Sequence, residues 1–116
     1  MRENVESIKT SEHTFITHEA EVKFNAPHHF VVHDKGGQIL SLVNFQLGPI
    51  KEAGVNGVTN EDLLHMVRLR LEGFQASEFK CDENQQALDH IIAAIASLES
   101  RTKKRLERGV EGTHTV

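Results

Sequence analysis

At 116 residues the chain has room for one domain-sized core, and 33 Leu, Ile, Val and Phe residues, 28% of the total, lift it clear of disordered compositions. A formal charge of −4 and the absence of Tyr and Trp argue against a general nucleic-acid binder. The longest uncharged apolar run, Ile91 to Leu98, is eight residues, far short of the ~20 a membrane helix needs, and the acidic start Met1 to Ser7 lacks the blocks of a secretory signal. A cytosolic protein without a membrane partner is expected. The lone Cys81 excludes an internal disulfide or a cysteine-based zinc cage within one chain, so neither metal nor cofactor is expected.

In chain order, His13 to Phe24 alternates, with Ile16, His18, Ala20, Val22 and Phe24 on one side, as a half-buried strand does; Pro27 ends it. Two further strands are predicted from His28 to His33 and from Gln38 to Phe45, around the turn Asp34-Lys35-Gly36-Gly37. Apolar residues at successive positions from Ile39 to Leu47 point to a central, well-covered strand. Gly48-Pro49 closes it, and Ile50 to Val55 reads as a short extended segment.

The period then changes. Thr59 or Asn60 can cap a helix, Glu61 and Asp62 suit its positive start, and Leu63, Leu64, Val67, Leu71 and Phe74 recur at three and four residues. The first helix is predicted over 61–74. Beyond the connector 75–83, a stripe of Ala87, Leu88, Ile91, Ile92, Ile95, Leu98, Thr102 and Leu106 predicts a second helix of about 25 residues and 37 Å, closed by Gly109. That length exceeds what the first helix covers, so the surplus apolar face calls for the sheet or a second chain. Val110 to Val116 has no period and reads as a flexible tail. The expected architecture is α+β in one domain: a small N-terminal antiparallel sheet (13–58), an antiparallel two-helix hairpin with a long second helix (59–109), and a tail (110–116).

Eight histidines raise the question of a metal, but strand residues four apart lie ~13 Å from one another, too far to share an ion unaided. No HExxH helix, GxSxG elbow or phosphate-binding GxxxxGK[ST] loop is present. The basic stretch is better material. Between Ser100 and Gly109 five cations face one acid, a local +4 against −8 elsewhere, which suits a small anion. Arg101 and Arg105 lie one helical turn apart and Arg108 follows, so their guanidinium forks can converge on a diphosphate; equally, they can simply complement the negative pole of the helix. Phe74 and Asn84 flank the connector, where a hairpin brings them together. A ring can stack on a base and an amide can read an adenine edge, though Phe74 in the core and Asn84 as a helix cap fit as well. About 25 Å of helix separates Asn84 from Arg101, so an antiparallel pair of protomers would be needed to unite these groups.

The ordered run Gly48-Pro49-Ile50-Lys51-Glu52-Ala53-Gly54-Val55-Asn56-Gly57-Val58-Thr59-Asn60-Glu61, then Arg70-Leu71-Glu72-Gly73-Phe74-Gln75, Phe79-Lys80-Cys81, Glu83-Asn84 and Arg101 to Thr113, resembles the phage Thoeris anti-defence proteins of the first type. Through the hairpin alone it resembles the phage anti-CBASS sponges. The likeness covers roughly residues 38–113. It implies a non-enzymatic sponge, acting in the cytoplasm of the infected bacterial host, that holds the cyclic ADP-ribose signal gcADPR intact in two pockets of a homodimer. Motif by motif, it implies that Phe74 stacks on the adenine, Asn84 holds its edge, and Arg101 and Arg105 bind the pyrophosphate, with Arg108 a weaker contact. Family members also form hexamers that hold cyclic trinucleotides at separate sites, so cyclic di- or trinucleotides are further candidate ligands. The family uses one more arginine from its sheet region; this chain has none between Arg2 and Arg68, and Lys51 is the substitute. Competing readings are a cyclic-nucleotide hydrolase with His65 or His90 as general base, a nucleic-acid module built on Arg101 to Arg108, and a ligand-free oligomerisation hairpin.

Overall fold

The computed structural model describes residues 5–113. The chain divides into two compact units, with the break between Val58 and Thr59, where the hydrophobic period changes. The fold class is α+β: strands β1 (Val5–Lys9), β2 (Thr14–Glu19), β3 (His29–Asp34) and β4 (Ile39–Asn44), then helices α1 (Ile50–Ala53), α2 (Asn60–Gln75) and α3 (Asp82–Arg108).

In the first unit the strands form one antiparallel sheet in the order β1-β2-β3-β4. Its register puts Ser7 opposite Thr17, Ile16 opposite Val32 and Val31 opposite Leu42. Strand β1 was not expected: Val5-Glu6-Ser7-Ile8-Lys9 does not alternate and is exposed throughout, so it carries no period-2 signal. The second strand stops at Glu19, five residues short of Phe24. There the Glu19 carboxylate accepts from the backbone N–H groups of His28 (2.9 Å) and His29 (3.2 Å) and folds the intervening residues back on themselves. Lys23 and Ala26 close the tip around Phe24 and Asn25, both at positive φ (54° and 66°), a two-residue turn of the I′ kind. Burial works to raise the Glu19 carboxyl, but the two N–H donors and the nearby His29 outweigh it and hold the group below its ordinary value.

Strand β4 is an edge, not a covered centre. Three of its apolar side chains, Ile39, Leu40 and Leu42, are exposed, Leu42 by 64%, because the strand order leaves β3 as its one full partner. Only its end is bordered: Val58 donates to Asn44 O and accepts from Gln46, and Gly57 lies flat against Phe45. The segment expected to be extended after Gly48-Pro49 is the single helical turn α1. Pro49, with φ −65°, starts it, its carbonyl accepts from Glu52 and Ala53, and Gly54 at φ 75° stops it. The side chains of Gln46 and Asn56 brace this loop by hydrogen bonds to Gly48, Gly54 and Leu47.

The second unit is the helical hairpin. Thr59 caps α2 in a reciprocal box with Asp62, whose carboxyl is lowered by the Thr59 backbone N–H and hydroxyl. Cys81, not Asn84, is the N-cap of α3, its sulfur accepting from the Asn84 N–H at 3.4 Å. Gly109 ends α3 in the left-handed conformation, as its sequence position predicted. Leu88 and Ile95 are the buried apolar residues among those described, and Ile91, Leu98 and Thr102 flank them at alternating three- and four-residue steps. The next position on this line is Arg105, not Leu106, which stays exposed together with Ile92, Met66, Val67 and Leu69.

Two outcomes are expected. A Cβ on Gly57 would sit 2.5 Å from the Phe45 backbone, so Gly57→Ala should lower stability by about 1–3 kcal/mol in chemical denaturation. Because the Glu19 pKa is lowered on folding, its contribution is present above the unfolded value and lost as pH falls through the folded one; Glu19→Gln should flatten the stability–pH curve below about pH 4.5.

Candidate ligand-binding site

Two groups of side chains stand at opposite ends of α3. At the turn end, Phe74 is half-buried in the last turn of α2, with Arg70 Cζ 5.3 Å from its ring centroid and the Phe79 ring edge-on at 6.4 Å. Gln75 closes the connector, donating to Gln85 Oε1 and accepting from the Cys81 N–H. Asn84 sits in the first turn of α3, half-buried, and its side-chain amide makes no hydrogen bond among the described residues. The hairpin therefore brings to one end an aromatic ring and an amide with unused donors and acceptor. Arg70 and Phe79 were not singled out from sequence; an arginine four residues before a helical phenylalanine was the available signal.

The basic end is split. Arg101, Lys103, Lys104 and Arg108 are exposed and none has an ion-pair partner among the described residues. Arg105 instead is buried, on the seam line of α3. Its Nε donates to Glu111 Oε1 at 2.9 Å and its Nη2 to the carbonyls of Val110 (2.9 Å) and Thr113 (3.0 Å). Val110 N–H returns to the Arg105 carbonyl and Thr113 N–H to that of Val110. The described part of the expected flexible tail, Val110–Thr113, is thus a hydrogen-bonded turn organised by one guanidinium; residues 114–116 of that tail lie outside the described residues. Nothing in the sequence period marks Glu111 as the partner, since the pairing runs across the helix cap.

Lys51 lies exposed in α1, in the other unit. His65, a candidate base from sequence, is held between helices: its Nδ1 accepts from Arg68 Nε at 3.1 Å, and its Nε2 faces Glu99 at 3.6 Å. His90 is exposed. In the sheet, the His33 ring stacks on Phe15 at 4.6 Å and uses both nitrogens, on Thr17 and on Gly37 O, while His29 bonds Asn44. An open recess of about 450 Å³ beside Phe15 is lined by Lys9, Ser11, Thr14 and Lys35. Its polar groups are largely spent on one another: Lys9 pairs with Glu12, and Ser11 and Thr14 bond within the β1–β2 turn.

Family comparison identifies the hairpin. The Acb2/Tad1 hairpin domain model matches residues 39–102, and the chain belongs to that family. The protein named Thoeris anti-defense 1 of Bacillus phage SBSphiJ7 is 44% identical over 140 aligned positions, spanning 98% of this chain and 99% of the relative.

Arg105→Ala should leave Glu111 in a poorly solvated position without its cation, at a cost of about 3 kcal/mol, the low end for a broken buried pair because Glu111 keeps 30% of its side-chain surface. Thermal denaturation reads the loss, and hydrogen exchange of the Val110 and Thr113 amides reads the release of the turn.

Proposed function

We propose that the protein is a phage anti-defence sponge, which binds gcADPR in the infected bacterial cell and holds it away from its receptor without degrading it. The near full-length likeness to a phage protein named for Thoeris anti-defence carries this reading. The hairpin supports it chemically. Phe74 offers a ring for the adenine, Asn84 an unspent amide for its edge, and Arg101 and Arg108 are open cations for the pyrophosphate, with Arg105 joining them. Lys51 is the proposed replacement for the sheet-region arginine.

A sponge acts by occupancy, so one protein per signal molecule demands nanomolar affinity, about −12 kcal/mol. Stacking plus two charge-assisted contacts falls short of that in open solvent. Burial between two copies supplies the difference. In this arrangement two hairpins pair antiparallel, so that Phe74 and Asn84 of one protomer meet Arg101 and Arg105 of its partner, about 25 Å away along a single α3. The exposed Ile92, Leu106, Met66, Val67 and Leu69 give such a homodimer apolar surface to bury. Hexamers with separate sites for cyclic di- or trinucleotides extend the same proposal. Hydrolysis is less well supported, since His65 is tied to Arg68 and Glu99.

The test is to incubate the purified protein with gcADPR isomers and cyclic di- and trinucleotides, filter, heat the retained protein and chromatograph both fractions. Intact gcADPR should emerge only on heating. Phe74→Ala and Arg101→Ala should remain folded dimers and retain at least about tenfold less signal. Linear products formed at turnover would establish a hydrolase, and unretained, unchanged nucleotides would leave an oligomerisation hairpin.

A further inference from the structure

Arg105 is the one buried charged side chain among the described residues, with 8% of its side-chain surface exposed. It is also the one basic residue of the Arg101 to Arg108 cluster with an acid of its own in the ion-pair geometry, Glu111. That acid is held loosely. It meets the guanidinium through the single 2.9 Å contact from Nε, where a carboxylate and an arginine fork ordinarily make two parallel bonds. Its side chain keeps 30% of its surface in solvent. It rides on a short turn between Gly109 (φ 75°) and Gly112 (φ 83°), outside any helix or strand. A cation of the basic cluster is therefore occupied by a monoanion on a short turn.

We propose that Glu111 stands in for a ligand phosphate: it holds Arg105 in the free protein and gives way when a diphosphate enters the cluster. The inference rests on the sponge reading, in which Arg105 is a ligand contact. A carboxylate at this distance cancels most of the guanidinium's charge, so an approaching anion gains from Arg105 only the difference between its own pairing and that of Glu111. A diphosphate, with two charges and several acceptor oxygens that also reach Arg101 and Arg108, wins this exchange. A single inorganic phosphate reaches fewer cations and does not. Glu111 thereby lowers affinity for any anion that takes Arg105, and an anion that also reaches Arg101 and Arg108 has the further contacts to offset that cost.

Glu111→Gln keeps the acceptor oxygen and the shape of the side chain and removes its charge. Calorimetric titration of parent and variant with gcADPR and with inorganic phosphate, in parallel with amide hydrogen exchange of the parent, tests the exchange. The variant should bind gcADPR about five- to tenfold more tightly, with no loss of its preference over phosphate; in the parent, gcADPR should speed exchange at Val110 and Thr113. If the parent binds gcADPR but the variant binds it equally or more weakly, Glu111 positions Arg105 instead, and the inference falls while the sponge stands. If the parent binds no gcADPR, both fall. Should the variant not fold, the parent's exchange decides: unchanged or slower exchange at Val110 and Thr113 on gcADPR binding overturns the inference.

Discussion

The hairpin unit depends on one line of side chains along α3: Leu88, Ile91, Ile95, Leu98, Thr102 and Arg105, spaced three and four residues apart. Such spacing keeps a seam turned toward a neighbouring helix over its whole length. From α2 come half-buried Leu64, His65, Arg68 and Leu71, and the His65–Glu99 and Gln75–Gln85 contacts tie the helices together. The core made this way is narrow. A 27-residue helix with two buried apolar side chains among the described residues leaves much of its apolar surface to solvent, as at Ile92 and Leu106.

The sheet unit relies on a different device. None of its strand residues is fully buried, so hydrophobic burial alone holds it weakly, and local polar contacts fix its shape. The Glu19 carboxylate anchors the return from β2 to β3, Asp34 closes the β3–β4 turn through Gln38, and Gln46 with Asn56 braces the loop around α1. The Phe15–His33 stack and the perpendicular Phe30 and Phe45 rings add packing on opposite faces. These are short-range contacts of exposed or half-exposed groups, consistent with a unit whose β4 edge keeps Ile39, Leu40 and Leu42 in solvent.

This difference explains what could be read from the residues. The helices were legible because their signals are redundant: a capping threonine, acids in the first turn and a 3.6-residue stripe agree for α2, and a long stripe ending at a glycine marks α3. The β3–β4 hairpin was legible through its Gly-rich turn. Strand β1, the Phe24–Asn25 turn and α1 were not, since β1 does not alternate, the turn is set by polar contacts of Glu19, Lys23 and Ala26, and α1 by a single proline, and hydropathy has no mark for any of them. Strand β4 shows the converse failure: apolar residues on both faces signal coverage, and the chain by itself does not provide it. At the candidate site, the positions of Phe74, Asn84 and Arg101 followed from helix geometry. The burial of Arg105 did not, because a stripe drawn by hydropathy steps from Thr102 to Leu106 and passes over the residue the seam selects.

Arg105 joins the two ways of holding the hairpin together. As a seam residue it must be covered, yet as a guanidinium it must be paired once covered, and a leucine in its place would require neither Glu111 nor the Val110 and Thr113 carbonyls. The turn beyond Gly109 supplies all three, so the end of α3 is closed by a charge and not by an apolar contact. That closure differs in kind from the burial of Leu88 and Ile95: apolar burial pairs with no anion, whereas an ion pair is weakened by salt. The exposed cations beside it, without an ion-pair partner among the described residues and gathered over two turns of helix, add to the positive potential at this end of α3. A fold that ends its core on such a residue ties the order of its last turn to a charge pair.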